Sequence, residues 1–246
     1  VTESNTQIYY INGIATKGTK VVHRDTQSLA NIYKQPVKLI FNERSENLMT
    51  DICKALAGKI SDPLGRSLEI SVNEVMNAIK EGAAAGKELK FIAHSQGAII
   101  LKNALKELYA EVGEERWNKE ILPHLKPLTI MGSPVECWPH GVQAVHYETS
   151  GDYIVKWGQR ADNFGRWVND AHREAYGTDL STLSCPKPST QGGDNSYSLS
   201  PPTEILSREY DKGDAHSMAT YLSLFGKDLV ARRWFIDLYS FARQLG

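Results

Sequence analysis

The chain has 246 residues, of which 41% are hydrophobic, and a formal net charge of -1. This length and apolar content suit one sizeable core, so we predict a single α/β domain spanning residues 1–246. The small net charge gives no electrostatic reason to expect nucleic acid or another polyanion as a partner. No apolar stretch approaches the roughly 20 residues that span a bilayer, so no transmembrane segment is predicted.

Cysteine usage and the N-terminus bear on the compartment. The three cysteines are an odd number, lie far apart and lack metal-site spacing, which argues against a disulfide framework (Cys53, Cys137 and Cys185). The sequence begins with Val and shows no signal-peptide pattern, so we interpret it as a processed or trimmed form. Localisation is left open: the reducing cytoplasm is favoured, and export with a removed or absent signal is the alternative.

Strands and helical patterns alternate along the chain. Apolar runs predict strands at 8–11, 37–41, 91–93, 128–131 and 144–149. Apolar residues at helical spacing predict helices at 25–34, around 48–56, at 68–79 with a stop at Gly82, and at 101–108. Strands separated by helices need crossover connections, so we expect a mainly parallel sheet of five or six strands flanked by helices.

Polar and small residues follow four of these strands. They are Asn12 and Gly13, Ser95, Gly132 and Ser133, and Gly151 and Asp152. Since open parallel sheets bind ligands beyond the carboxyl ends of their strands, we expect these residues to converge on one edge.

The segment at about 153–212 is predicted to be a long loop inserted before the last helices. Its stretch "CPKPSTQGGDNSYSLSPPT" (185–203) is rich in Pro, Ser and Gly and has little apolar surface to bury. Plain surface disorder and a lid over the site are both open interpretations. The chain then closes with helical patterns at 217–225 and 229–245.

A short motif lies between the third strand and the helix that follows it. In "KFIAHSQGAIILKNALKEL" (90–108), Ser95 stands between Ala93 and Gly97. "AHSQG" resembles the G-x-S-x-G nucleophile elbow of α/β-hydrolases, in the variant with alanine at the first small position. The sharp turn needs small flanking residues and lifts the serine hydroxyl above the sheet, next to a helix N-terminus. An ordinary turn serine is the alternative.

The resemblance implies the chain order serine, acid, histidine. Asp152 follows the fifth strand in "HYETSGDYIVKW" (146–157), which is similar to the Gly-Asp-x-x-Val turn of several lipase groups. A turn-capping aspartate is the alternative, and Glu148 is the reserve candidate for the acid.

The base is predicted to be His216, in a polar loop directly before a helix near the C-terminus. His172 also follows Asp152 and is the competing candidate. His94 adjoins the serine and is expected to point away from it. Four further histidines precede Asp152 and do not fit the order: His23, His124, His140 and His146.

The resemblance also implies an oxyanion hole made of two backbone N–H groups. One belongs to Gln96, and the other to the loop after the first strand, at Gly13 or Ile14. A strand-ending turn with no further role is the alternative for that loop. Three aromatic residues after Asp152 are candidates for an acyl pocket or for packing beneath the long loop (Trp157, Phe164 and Trp167).

A serine hydrolase of an acyl ester, of lipase, phospholipase or esterase type, is the function that this resemblance implies. It needs no metal or organic cofactor, and its partner is an acyl-ester or lipid substrate with transient membrane contact allowed. The resemblance also implies a reduced core with strand order 2-1-3-4-5. An acyltransferase or thioesterase with the same residues, and a non-catalytic binding module, are the alternatives. Nucleotide-binding motifs such as G-x-x-x-x-G-K-[ST] are absent from the sequence.

Overall fold

A computed structural model describes residues 5–13, 19–42, 63–133, 135, 137–152, 155, 199–200, 203–210 and 215–244. Its helices are α1 (Thr19–Tyr33), α2 (Pro63–Ala84), α3 (Gln96–Arg116) and α4 (Met218–Gln244). Its strands are β1 (Thr6–Ile11), β2 (Val37–Ile40), β3 (Glu88–His94), β4 (Leu128–Met131), β5 (Trp138–Pro139), β6 (Ala144–Thr149), β7 (Leu199–Ser200) and β8 (Glu204–Arg208). A π-helical turn (Trp117–Ile121) and a 3-10 turn (Leu122–His124) connect α3 to β4.

The central element is a parallel sheet, which in the described part of the chain has six strands in the order β2-β1-β3-β4-β6-β8. Every neighbouring pair is parallel. The predicted fold class is confirmed, and the five predicted strands lie in the predicted order, with β6 as the fifth. β5 and β7 form a separate antiparallel pair.

Helices cover both faces of the sheet. On β1, Tyr9 and Ile11 pack into the core cluster shared with α2 and α3, whereas Ile8 and Tyr10 pack into the cluster shared with α1 and α4. This split follows from the two-residue period of a strand, which sends successive side chains to opposite faces. β3 lies between β1 and β4 and has six buried residues out of seven, as expected of a central strand covered on both sides.

The strand register brings four carboxyl ends together. Ile11 pairs with Ala93, His94 pairs with Met131, and Met131 pairs with Tyr147. The residues that follow β1, β3, β4 and β6 therefore leave the same edge of the sheet, as the sequence predicts.

Two helix predictions differ from the structure. The pattern at 68–79 is part of α2, which continues past Gly82 to Ala84, and a Cβ on Gly82 would run into the side chain of Leu89. Gly82 therefore allows close packing on β3 and does not end the helix. The patterns at 217–225 and 229–245 form the single helix α4. Its buried stripe runs on from Phe225 to Leu229 at i, i+4, so the intervening residues do not interrupt it.

The predicted loop at about 153–212 contains strands that the sequence analysis missed. β8 pairs with β6 along its whole length, and β7 lies within the Pro/Ser/Gly-rich stretch. An edge strand buries little, and β8 is largely polar, so no apolar run marks it. Two ion pairs connect it to α4, Arg208 with Asp228 at 2.8 Å and Arg232 with Glu204 at 2.8 Å. Most of 153–212, and the predicted helix around 48–56, lie outside the described residues.

Within the described ranges, no helix is long and apolar enough to cross a membrane. The same part of the chain contains no group of three or more His, Cys, Asp or Glu side chains arranged to hold a metal ion.

Candidate active site

Ser95 lies in a strained turn between β3 and α3. Its φ is 54° and its ψ is -122°, a backbone conformation that residues other than glycine seldom adopt. The Ser95 N–H donates to the Met131 carbonyl oxygen at 2.9 Å, which fixes the turn to the end of β4. Its hydroxyl does not cap α3, although it stands at the N-cap position. The hydroxyl is therefore available to another partner.

Small residues permit this turn. Ala93 is fully buried on one side of it. On the other side, a Cβ on Gly97 would collide with the backbone of Ile11, so only glycine lets α3 start this close to β1. A Cβ on Gly13 would lie 2.7 Å from the Ser95 Cβ, so the loop after β1 also passes directly against the serine.

His216 connects Ser95 to Asp152. Its Nε2 lies 2.8 Å from the Ser95 Oγ, and its Nδ1 lies 2.7 Å from the Asp152 Oδ2. With the carboxylate accepting from Nδ1–H, the neutral imidazole accepts the serine hydroxyl at Nε2. The His216 side chain is 24% exposed and that of Asp152 is 0% exposed, so the chain runs from an accessible base to a buried acid.

Asp152 receives a further hydrogen bond that the sequence analysis did not find. The hydroxyl of Tyr221, in the first turn of α4, donates to the same Oδ2 atom at 2.7 Å. Gly132, with φ of 56°, leaves the room for this contact, because its Cβ would lie 2.8 Å from that oxygen. Nothing in the local pattern around Tyr221 marks it, since it reads as one apolar position of a helix.

His94, which precedes the serine, contacts the backbone and the ring of His216. Its Nε2 donates to the His216 carbonyl oxygen at 2.8 Å, and the two rings lie 5.0 Å apart. Within the described residues, its buried Nδ1 has no hydrogen-bond partner. Burial, reinforced by the neighbouring His216, lowers the pKa of His94 to about 3, so the ring is neutral.

Three buried amides connect the ends of β1, β2 and β3. Asn12 and Asn42 exchange hydrogen bonds, from the Asn42 N–H to Asn12 Oδ1 at 2.8 Å and from Asn12 Nδ2 to the Asn42 carbonyl at 3.0 Å. Asn42 Nδ2 then donates to Gln96 Oε1 at 2.6 Å. The network holds the side chain of the residue that follows Ser95. As the first residue of α3, Gln96 has a backbone N–H without a partner inside the helix, which suits it to bind a developing negative charge.

The structure therefore brings Ser95, His216, Asp152, Gln96 and Gly13 to one edge of the sheet. Of the histidines that precede Asp152, only His94 joins this group in the described part of the chain. Among these, His146 is buried and accepts from the Trp138 indole N–H at 3.0 Å. Glu148, the reserve candidate for the acid, lies on β6. Five other candidates lie outside the described residues: Ile14, His172, Trp157, Phe164 and Trp167.

No protein-family model and no curated protein matches the sequence. Among solved structures, the chain is similar to a protein of Xanthomonas campestris pv. campestris that is called a "putative hydrolase of the alpha/beta superfamily". The two are 12% identical, the TM-score is 0.38, and the match covers 94% of this chain and 98% of that chain.

Proposed function

We propose that the protein is a serine hydrolase of the α/β-hydrolase type, which cleaves a carboxylic ester through an acyl-enzyme. The observation that carries the proposal is the continuous hydrogen-bond chain from Ser95 through His216 to Asp152. A neutral imidazole that accepts the serine hydroxyl is positioned to take its proton, and a buried carboxylate stabilises the resulting imidazolium. The lipase or esterase subtype and the roles of the individual residues are parts of this proposal.

In the first half of the reaction, Ser95 Oγ attacks the ester carbonyl carbon while His216 Nε2 takes the hydroxyl proton. The carbonyl oxygen becomes an oxyanion, which the backbone N–H of Gln96 and an N–H of the Gly13 and Ile14 loop receive. The bond between the carbonyl carbon and the alkoxy oxygen then breaks. The alcohol leaves with the proton from His216, and the acyl group stays on Ser95.

In the second half, water attacks the acyl-enzyme. His216 takes a proton from the water and returns it to Ser95 Oγ as the acid leaves. Each half begins and ends with neutral His216 and ionised Asp152, so protons and charges balance. The chemistry needs no metal or organic cofactor. The substrate class proposed is an acyl ester, which includes ester lipids, because attack of Ser95 on an ester carbonyl leaves the acyl group on the serine.

A fluorophosphonate probe and a short-chain p-nitrophenyl ester test the proposal together. The wild type should be labelled on Ser95 and should release p-nitrophenol, and Ser95→Ala should lose both while folding normally. Ser133→Ala is the matched control, because Ser133 is another buried serine at this sheet edge whose Oγ accepts from the Val135 N–H. It should keep both activities.

Replacement of His216 by Ala should lower the rate about as far as Ser95→Ala, whereas His172→Ala should change little. The opposite ranking would make His172 the base.

Labelling of Ser95 with product formed only when an alcohol or thiol acceptor is present would indicate an acyltransferase. Preference for a thioester would indicate a thioesterase. Absence of labelling in the folded wild type would leave a non-catalytic binding module.

A further inference from the structure

We infer that Tyr221 is a positioning residue that extends the chain Ser95, His216, Asp152 by a fourth member. It acts through Asp152 and does not touch the reacting atoms. The inference deepens the proposed function and rests on it for its catalytic consequence, although the contact itself can be tested without turnover.

The tyrosine and histidine converge on one oxygen atom. The Tyr221 hydroxyl and the His216 Nδ1–H both donate to Asp152 Oδ2, each at 2.7 Å. The other oxygen, Oδ1, accepts from the Val155 N–H at the longer distance of 3.4 Å. Two short hydrogen bonds to one carboxylate oxygen share its negative charge, so each donor weakens the hydrogen bond that the other donor makes.

Tyr221 remains a donor throughout the range of ordinary pH. Its side chain is completely buried, and burial followed by the negative charge of Asp152 raises the pKa of its hydroxyl. A phenol that keeps its proton beside a carboxylate can only donate to it. The tyrosine thus supplies a permanent donor to a carboxylate that is itself 0% exposed and cannot be solvated by bulk water.

The fold holds the two donors in a fixed relation. His216 lies two residues before Met218, the first residue of α4, and Tyr221 is the fourth residue of that helix. Ser217 caps the helix by accepting the Thr220 N–H at its Oγ at 3.1 Å, so both side chains extend from one capped turn. From the opposite side, a Cβ on Gly132 would lie 3.0 Å from the Tyr221 hydroxyl. The absence of a side chain at Gly132 therefore leaves room for the Tyr221 hydroxyl.

Tyr221 serves the reaction in two ways. It holds the Asp152 carboxylate in the rotamer in which Oδ2 faces His216, and it limits how strongly the same oxygen binds the Nδ1–H proton. Without it, the carboxylate loses one short donor and is held less firmly in that rotamer. The base is then held less precisely against Ser95, and the loss falls on turnover and not on substrate binding.

Tyr221→Phe removes only the hydroxyl. We expect kcat for a p-nitrophenyl ester to fall about tenfold to a hundredfold, which equals about 1.4 to 2.7 kcal/mol of transition-state stabilisation, with KM changed by less than about twofold. The proton resonance of the His216 Nδ1–H, observed at low field by NMR, should move further downfield, because Oδ2 then loses the competing donor Tyr221.

The matched control is Tyr147→Phe. Tyr147 is buried in the same core cluster and packs on Phe225 as Tyr221 does, but its hydroxyl has no hydrogen-bond partner among the described residues. This variant should leave kcat and the low-field resonance unchanged. Incorporation of 3-fluorotyrosine at position 221 keeps the bulk and strengthens the donor, so it should move the resonance upfield; it decides the question if Tyr221→Phe does not fold.

An unchanged resonance in Tyr221→Phe, or equal changes in Tyr221→Phe and Tyr147→Phe, would overturn the inference. If Tyr221→Phe shifts the resonance as expected but the wild type hydrolyses no ester and takes no fluorophosphonate, the proposed function is refuted instead. The spectroscopic result would then still establish that Tyr221 positions the Asp152 and His216 pair.

Discussion

The Nε2 atom of His94 lies 2.8 Å from the backbone carbonyl oxygen of His216. His94, which precedes Ser95 in the chain, thus holds the loop that carries His216 to Ser95. The distance of 122 positions between the two explains why the sequence around "AHSQG" gives no sign of the contact. Ser95 and His216 are thus connected twice, once by their own hydrogen bond and once through the side chain of His94, which binds the His216 backbone.

We predict that His94→Ala lowers the hydrolysis rate about tenfold, because the His216 carbonyl loses its buried donor. His94→Gln should keep most of the rate, since a glutamine Nε2 can donate to the same carbonyl. Ester hydrolysis and thermal unfolding of both variants provide the measurement. Equal losses in the two variants would show that the imidazole ring itself is required.

Two buried histidines should make the fold sensitive to acid. Burial lowers the pKa of His94 to about 3 and that of His146 to about 4, from an ordinary value of 6.5. Between pH 6.5 and about 4 the unfolded chain therefore binds protons that the folded protein does not. Stability is lost as pH falls through this window, by about 1.4 kcal/mol per pH unit for each histidine.

Urea unfolding at several pH values measures this slope. The double variant His94→Gln, His146→Gln should lose less stability between pH 6.5 and 4 than the wild type. His140→Gln, at an exposed position, is the control and should keep the wild-type slope. A double variant with an unchanged slope would contradict the prediction.

Asn42→Ala should lower kcat with little change in KM. Its side chain donates to Gln96 Oε1 at 2.6 Å, so the substitution releases the residue whose N–H is proposed to receive the oxyanion. Loss of a single positioned oxyanion donor costs about a hundredfold or more, and a loosened donor should cost less, about tenfold. Asn31→Ala, on the outer face of α1, is the control. Steady-state kinetics in which KM alone changes would assign Asn42 to substrate binding.

Gly132→Ala should be more harmful than Gly86→Ala, although both glycines have positive φ, 56° and 66°. Either alanine adopts a backbone conformation that costs about 1 to 2 kcal/mol. Only at Gly132 would the new Cβ press on Asp152 Oδ2, at 2.8 Å, whereas it meets nothing within 4 Å at Gly86. Overpacking adds about 1 to 3 kcal/mol. Thermal unfolding and ester hydrolysis should show the excess loss at Gly132 in both measurements.

The sequence by itself determined the features that local patterns encode. Apolar runs located the strands of the parallel sheet except β8, which is one of its two edge strands. A small residue, a serine and a glycine between a strand and a helix located the strained turn at Ser95. Parallel pairing follows as well, because a helix between two strands requires a crossover. The strand order was implied only by the resemblance to α/β-hydrolases. These features depend on residues a few positions apart, where periodicity and turn chemistry act.

Only the tertiary structure decided which distant side chains meet. It brings His216 to Ser95 across 121 positions and to Asp152 across 64, and it adds Tyr221, 69 positions from that carboxylate. It also adds β8, whose pairing with β6 and ion pairs to α4 compensate for its few apolar residues. A hydrogen bond between distant residues depends on how helices pack on the sheet, to within a few tenths of an ångström. No local pattern carries that information, since Tyr221 has the same helical spacing in the sequence whether its hydroxyl meets a carboxylate or only the core.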